Sequence, residues 1–261
     1  MEQIDDLLLD HQVPSIRKQA TPILFVHGMW GGSWCFANYL RGAADDGWEA
    51  WAINLRGHGQ SRPVPDLGAV ALDDYVRDVA DVLAKIGPAV VIGHSMGGLL
   101  AQIAATRIGV RAAAFLATAA PRGIVVLRWP ALSRMPRYLG AMLGGRPFQP
   151  TDADAIALLL NRMTPAQRAE VLRRAVPDSG RVARALAFRP PVVDAARVRC
   201  PTLVVGAADD AITPPDVQRR IAKRYGAEYL EVEGHGHMFL LEDGWEAPLE
   251  GVLAWARRAT S

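Results

Sequence analysis

The chain is short of cysteine, of net charge and of long apolar runs. Only two of its 261 residues are cysteine, Cys35 and Cys200, and they lie far apart in sequence. That usage excludes a disulfide framework and a cysteine-based metal site, and it points to reduced thiols in a cytoplasmic protein. With 29 basic against 27 acidic residues the formal charge is +2. A balance so close to neutral gives no footprint for nucleic acid or an anionic membrane as a partner. The arginine-rich stretch from about 162 to 199 is locally basic and reads as a solvated helical face. No run approaches the ~18 apolar residues that a membrane span needs, so no stable membrane insertion is expected. The opening Met-Glu-Gln-Ile-Asp-Asp is acidic where a secretory leader would be basic, and its one apolar run is Leu7 to Leu9. These absences together read as a soluble, intracellular protein. Internal repeats and low-complexity segments are lacking as well.

What the chain does have is core-forming material in a regular rhythm. Half of the residues are hydrophobic, enough for one large domain. Short apolar runs, Ile23–Val26, Ala50–Ile53, Val90–Ile92, Ala113–Leu116, Leu203–Val205 and Tyr229–Val232, alternate with longer helical patterns. The runs are continuous rather than alternating, as strands covered on both faces should be. Leu72–Ile86 puts Leu72, Tyr75, Val76, Val79, Val82, Leu83 and Ile86 on one helical stripe and ends at Gly87-Pro88. Met96–Ile108 is small and apolar all round, which predicts a buried helix; Pro215–Tyr225 and Trp245–Arg258 complete the set. The fold class expected is α/β, a mostly parallel twisted sheet with helices on both faces.

One stretch breaks the rhythm. From 122 to 197 proline-broken helical pieces replace strands, which predicts a helical lid inserted in a core made of residues 1–121 and 198–261. Its first half is rich in large apolar residues: Leu127, Trp129, Leu132, Met135, Tyr138, Leu139, Met142, Leu143 and Phe148. As a group they suggest an apolar pocket under the lid, with Trp129, Tyr138 and Met142, and Trp30 from another loop, as candidate substrate contacts.

The chemistry-bearing segment is Val90-Val91-Ile92-Gly93-His94-Ser95-Met96-Gly97-Gly98. Gly93-x-Ser95-x-Gly97 follows a strand and opens a helix, the setting of a nucleophile elbow that lifts a serine hydroxyl above a sheet. Earlier, Phe25-Val26-His27-Gly28-Met29-Trp30-Gly31-Gly32 ends a strand in a glycine-rich loop. Such a loop can offer the Met29 N–H, beside that of Met96, to an oxyanion. His27 reads as a brace of this loop. A serine at its ordinary pKa is a weak nucleophile and needs a histidine base with an acid to orient it. Asp209 and Asp210 follow the strand at 203–205, and His235 and His237 follow the strand at 229–232. The order Ser, Asp, His is that of α/β-hydrolases.

From about Pro22 to its end the sequence resembles the α/β-hydrolase superfamily, in the branch of small esterases, lipases and lysophospholipase-like enzymes. The resemblance rests on His27-Gly28, Leu55-Arg56-Gly57-His58-Gly59-Gln60-Ser61, Gly93 to Gly98, Asp210-Ala211-Ile212-Thr213-Pro214 and Gly236-His237…Glu242. It implies Ser95 as nucleophile. The family's Asp-x-x-x-Pro run selects Asp210 as the acid, although counting from Gly206 favours Asp209. Its glycine-preceded histidine, with a glutamate five residues on, selects His237 over His235. His58 and Ser61 fall in a turn that the family uses structurally, and Asn54 stands where the family often has aspartate. The resemblance implies hydrolysis of a small, apolar, ester-like substrate with no metal and no organic cofactor. Thioesterases, lactonases, carbon–carbon hydrolases, haloperoxidases or perhydrolases, hydroxynitrile lyases and receptor-like binding proteins share the same constellation. Haloalkane dehalogenases and epoxide hydrolases, which use an aspartate nucleophile, do not.

Overall fold

The computed structural model describes every residue except Ile108 and Leu127. Among the described residues eight strands form one sheet: β1 (Glu2–Ile4), β2 (Leu7–Gln12), β3 (Ile23–Val26), β4 (Ala50–Ile53), β5 (Ala89–His94), β6 (Val110–Leu116), β7 (Thr202–Ala207) and β8 (Glu228–Val232). Their order is β1-β2-β4-β3-β5-β6-β7-β8. From β4 to β8 every pairing is parallel, while β1 and β2 add an antiparallel edge. β3, β4 and β5 are buried along their whole length, which is why they read as unbroken apolar runs.

Helices cover both faces. On one face α1 (Ala37–Asp45), with Phe36 just before it, and α10 (Glu246–Thr260) pack Phe36, Tyr39, Leu40, Val252 and Trp255 against Ile23, Phe25 and Val90. On the other, α2 (Leu72–Ile86), α3 (Met96–Ala104) and α9 (Pro215–Tyr225) pack Tyr75, Val79, Leu99 and Ile221 against Leu24, Val26 and Val91. The expected α2 stripe is the buried one, with Leu72, Tyr75, Val76, Val79 and Val82 inside. Helix α2 stops at Gly87, whose φ of +83° suits glycine.

Two expectations from sequence change. Helix α3 ends at Ala104 instead of running on to Ile108, which lies outside the described residues. The N-terminal strands β1 and β2 were not expected, because their buried residues are only Leu7 and Leu9. Residues 122–197 carry no sheet strand among the described residues. They form α4 (Trp129–Leu132), α5 (Leu139–Gly144), α6 (Asp152–Leu158), α7 (Pro165–Arg174) and α8 (Gly180–Phe188), with single 3-10 turns at Met135–Arg137 and Ala195–Arg197. Caps explain several starts: the Thr151, Thr164 and Ser179 hydroxyls accept from the backbone N–H three residues on. Asp154 of α6 is nearly buried and binds Arg134 (3.0 Å), Arg137 and Tyr138, tying α6 to the stretch between α4 and α5. Of the arginines beyond 161, Arg162 pairs with Asp209 of the core at 3.3 Å and Arg173 with Glu170 of its own helix at 2.8 Å. Cys35 and Cys200 are free, and no described helix is long and apolar enough to cross a membrane.

Candidate active site

The chain leaves β3 toward β4 on one side and returns through α2 to β5 on the other, so the loops after β3 and β5 flank the point where strand order reverses. Open α/β sheets place ligands at such a point. Ser95 sits there, at φ +55° and ψ −117°, a conformation that costs a non-glycine residue about 1–3 kcal/mol. The neighbouring glycines make that turn possible. A Cβ on Gly93 would lie 2.0 Å from the Gly97 carbonyl oxygen, and one on Gly97 would lie 2.1 Å from the Val26 carbonyl oxygen. The turn is held by Ser95 N–H donating to the Leu116 carbonyl (2.9 Å) and by the Ser95 carbonyl accepting from Gly98 and Ala119.

The histidine and acid loops converge beside it. His237 Nδ1 lies 2.8 Å from Asp210 Oδ2, and the two side chains are 2% and 0% exposed. With Nδ1–H donated to the carboxylate, Nε2 is free to accept a proton. Burial pushes the Asp210 carboxyl up, but the His237 charge and the hydrogen bonds from His237 and Thr213 outweigh it, so its pKa is lowered. Asp210 Oδ1 accepts from the Ile212 and Thr213 N–H groups at 2.9 and 2.8 Å, and Oδ2 lies 2.7 Å from the Thr213 hydroxyl. Asp209 is exposed and pairs with Arg162, so the geometry brings Asp210 and not Asp209 to the histidine. His235 Nδ1 meets the Glu233 carbonyl at 2.8 Å, and the His235 carbonyl accepts the Asp209 N–H at 2.9 Å, so its ring is not the one paired with a carboxylate.

Two further histidines act as braces. Burial, then the neighbouring His237 ring, pushes His94 down to about 3, and this neutral ring donates Nε2–H to the His237 carbonyl at 2.8 Å. Burial, then the His58 ring, pushes His27 down to about 3 as well. His27 donates Nδ1–H to the Gly28 carbonyl (2.8 Å) and accepts the Leu55 N–H at Nε2 (3.1 Å), as a loop brace should. Asn54, in place of the family's frequent aspartate, accepts from the Ser33 N–H at 2.9 Å and so fastens the same loop.

The N–H groups of Met29 and Met96 find no acceptor among the described residues. Met96 opens α3, where the first N–H groups have no partner in the helix. The residue after Met29 is locked in place. Trp30 has φ +61°, donates its N–H to Asp178 Oδ2 (3.1 Å) and its indole N–H to the Phe148 carbonyl (3.1 Å), and accepts from Val176 N–H (3.1 Å). Asp178, wholly buried, also meets His58 Nε2 at 3.2 Å and accepts from the Tyr75 hydroxyl at 2.7 Å. Sequence reasoning missed Asp178 and Thr213. An Asp-Ser pair before a helix signals an N-cap, but nothing local signals partners at positions 30, 58 and 75.

A cavity of about 830 Å3 opens between Ser95 and the helices of 122–197. Trp30, Tyr138 and Met142 line it, as do Met135 and Phe148. Trp129 does not: it is 77% exposed, at the solvent-facing start of α4, and the substrate contact expected of it is corrected. Leu143 is likewise exposed, and Leu127 lies outside the described residues. Residues beyond Phe148 line the cavity too, Leu158 and Leu159 and, in the second half of the segment, Leu186 and Phe188, where the sequence had pointed mainly to the first half.

Comparison with known proteins bears on the family and the fold. The Alpha/beta hydrolase family profile matches residues 23–255. The chain is 33% identical over 103 residues to the "Probable esterase PIR7A" of Oryza sativa subsp. indica; the match covers 38% of this chain and 39% of the rice protein. Among solved structures, a thermophilic esterase from Thermogutta terrifontis superposes with a TM-score of 0.76 at 22% identity, covering 98% of this chain and 94% of that one. The enol-lactonase from Burkholderia xenovorans LB400 gives 0.73 at 21% identity, over 97% and 98%. At these identities the superpositions bear on the fold alone.

Proposed function

The chain belongs to the alpha/beta hydrolase family, and on that premise we propose that it cleaves carboxylic esters through an acyl-enzyme on Ser95. The observation that carries this reading is the strained Ser95 turn bordering one cavity with His237 of the His237–Asp210 pair, the three residues lying beyond the carboxyl ends of the parallel strands β5, β8 and β7. In this reading His237 Nε2 takes the Ser95 proton as Oγ attacks the ester carbonyl. Asp210 holds the ring with Nδ1 protonated. The Met29 and Met96 N–H groups receive the oxyanion, one such donor contributing roughly 3–4 kcal/mol. The proton then passes to the departing alkoxide, and water releases the acid by the same route. Residues 122–197 act as a lid whose apolar underside receives the substrate.

The test is direct. A fluorophosphonate probe should label Ser95 stoichiometrically, with the site read by peptide mass spectrometry. Acid release from methyl acetate, hexanoate, decanoate and benzoate should rise with acyl size, because the cavity beside Ser95 is large and apolar. An unlabelled Ser95 with no acid release would sink the enzyme reading; fastest turnover of methyl acetate would sink the apolar-acyl assignment.

A further inference from the structure

Ser95 borders a second cavity, unlike the first. It measures about 60 Å3 against about 830 Å3. At roughly 10–15 Å3 per water-sized sphere, the smaller one accepts only a few heavy atoms. Met29, Trp30, Ser95, Pro150 and Leu159 border both and form the partition between them. The other walls differ. His94, His237 and Met238 border only the small cavity, whereas Ala119, Ile212 and Thr213 border only the large one. The far wall of the small cavity is Val171 and Leu172 of α7 with Leu160, side chains that sit in or against the core.

An ester has two halves, and the chemistry assigns each a side. When Ser95 Oγ bonds to the carbonyl carbon, the carbon–alkoxy bond breaks and the alkoxy oxygen must take the proton held on His237 Nε2. The alkoxy group therefore lies on the histidine side. The acyl group stays on Ser95 and lies on the other. His237 borders the small cavity alone, so from this, together with the serine-esterase reading on which it rests, we infer that the chain selects short-alkyl esters of bulky apolar acids. Methanol or ethanol leaves through the small cavity, and the acid is later released from the large one. Trp30, held at three backbone and indole contacts, keeps the partition fixed.

Two isomeric esters separate the alternatives: methyl decanoate, with a large acyl and a small alkoxy half, and nonyl acetate, with the reverse. Their composition is identical, so bulk hydrophobicity does not discriminate between them. The expected kcat/KM ratio, followed by acid titration on the intact protein, favours methyl decanoate at least about tenfold, the scale of a misfitted alkyl group in an apolar pocket. Equal rates, or faster nonyl acetate, overturn the assignment. Leu172→Ala, which widens the small cavity, should raise the rate on butyl decanoate relative to methyl decanoate; an unchanged ratio counts against that wall as the limit. Fluorophosphonate labelling of the same preparation separates the two levels. Labelled Ser95 with nonyl acetate preferred overturns only the placement of the halves. An unlabelled Ser95 with neither ester cleaved overturns the esterase reading as well.

Discussion

Ser95→Ala should lower methyl ester turnover by about 10^4- to 10^6-fold, the range in which removing a serine nucleophile removes the gain of the whole constellation. A residue of activity, roughly 10^3-fold over water, is expected to survive through oxyanion donors and substrate positioning. Asp210→Asn should cost about 10^4-fold for a separate reason. The Asp210 carboxylate accepts Nδ1–H from His237 at 2.8 Å, and an amide presented there can turn the ring to the wrong tautomer. The double variant should fall little below Ser95→Ala alone, since the acid acts only through the serine. Ser95→Gly adds a readout of stability. At φ +55° and ψ −117° the Cβ is strained, and glycine relieves strain of up to about 2 kcal/mol. The inactive glycine variant should therefore melt above the parent. A Ser95→Ala protein that keeps the parental rate would remove Ser95 from the site, and a glycine variant that melts lower would show that the turn is not under strain.

The reason Ser95 could be read from sequence is local. An elbow needs glycines at fixed offsets because backbone lies within about 2 Å of where their Cβ atoms would be, so the requirement is printed within five residues. The parallel strands were legible for a similar reason, since burial on both faces leaves no place for a polar residue in β3 or in β5 before His94. Where only one or two side chains are buried the signal thins out. Strand β2 hides Leu7 and Leu9 alone, and β1 hides none, so the edge hairpin escaped notice. Helix α1 was missed because it follows a glycine-rich loop without a side-chain cap. Choosing between Asp209 and Asp210 needed three dimensions: the two differ by one residue in sequence, yet one is exposed beside Arg162 and the other is buried on His237. Residues 122–197 showed the widest gap. Their apolar content was visible, but which side chains turn inward depends on helix packing, and so Trp129 faces solvent while Leu186 and Phe188 line the cavity.

Asp178→Ala should destabilise the protein by about 3–5 kcal/mol, the cost of breaking a buried pair by deleting one partner. Its carboxylate is the shared acceptor for Trp30 N–H, Tyr75 hydroxyl and Ser179 N–H, and it faces His58 Nε2, with Asp178, His58 and Tyr75 all fully buried. Burial alone would lower the His58 pKa, but the Asp178 charge and hydrogen bond outweigh it and the net shift is upward. Burial would raise Asp178, and the His58 charge with the bonds from His58, Tyr75 and Ser179 turns it downward. The signs fix a pH window. A raised histidine gives stability that is complete below its unfolded pKa of about 6.5 and fades as pH climbs through its higher folded value. A lowered aspartate gives stability above its unfolded pKa of about 3.9 that fades as pH drops toward its folded one. The gap between parent and Asp178→Ala should thus be widest from about pH 4 to 6.5 and should narrow on the alkaline side. Guanidinium unfolding curves from pH 5 to 9 measure it directly, and a gap that stays constant across that range would mean the buried pair is not charged. Asp178→Asn keeps the shape and most of the hydrogen bonds, so its loss should be nearer 1–2 kcal/mol. Both variants also release the Trp30 N–H, and Trp30 directly follows Met29, the proposed oxyanion donor. Turnover of methyl esters should accordingly fall through kcat more than KM, even at temperatures where the variant is fully folded.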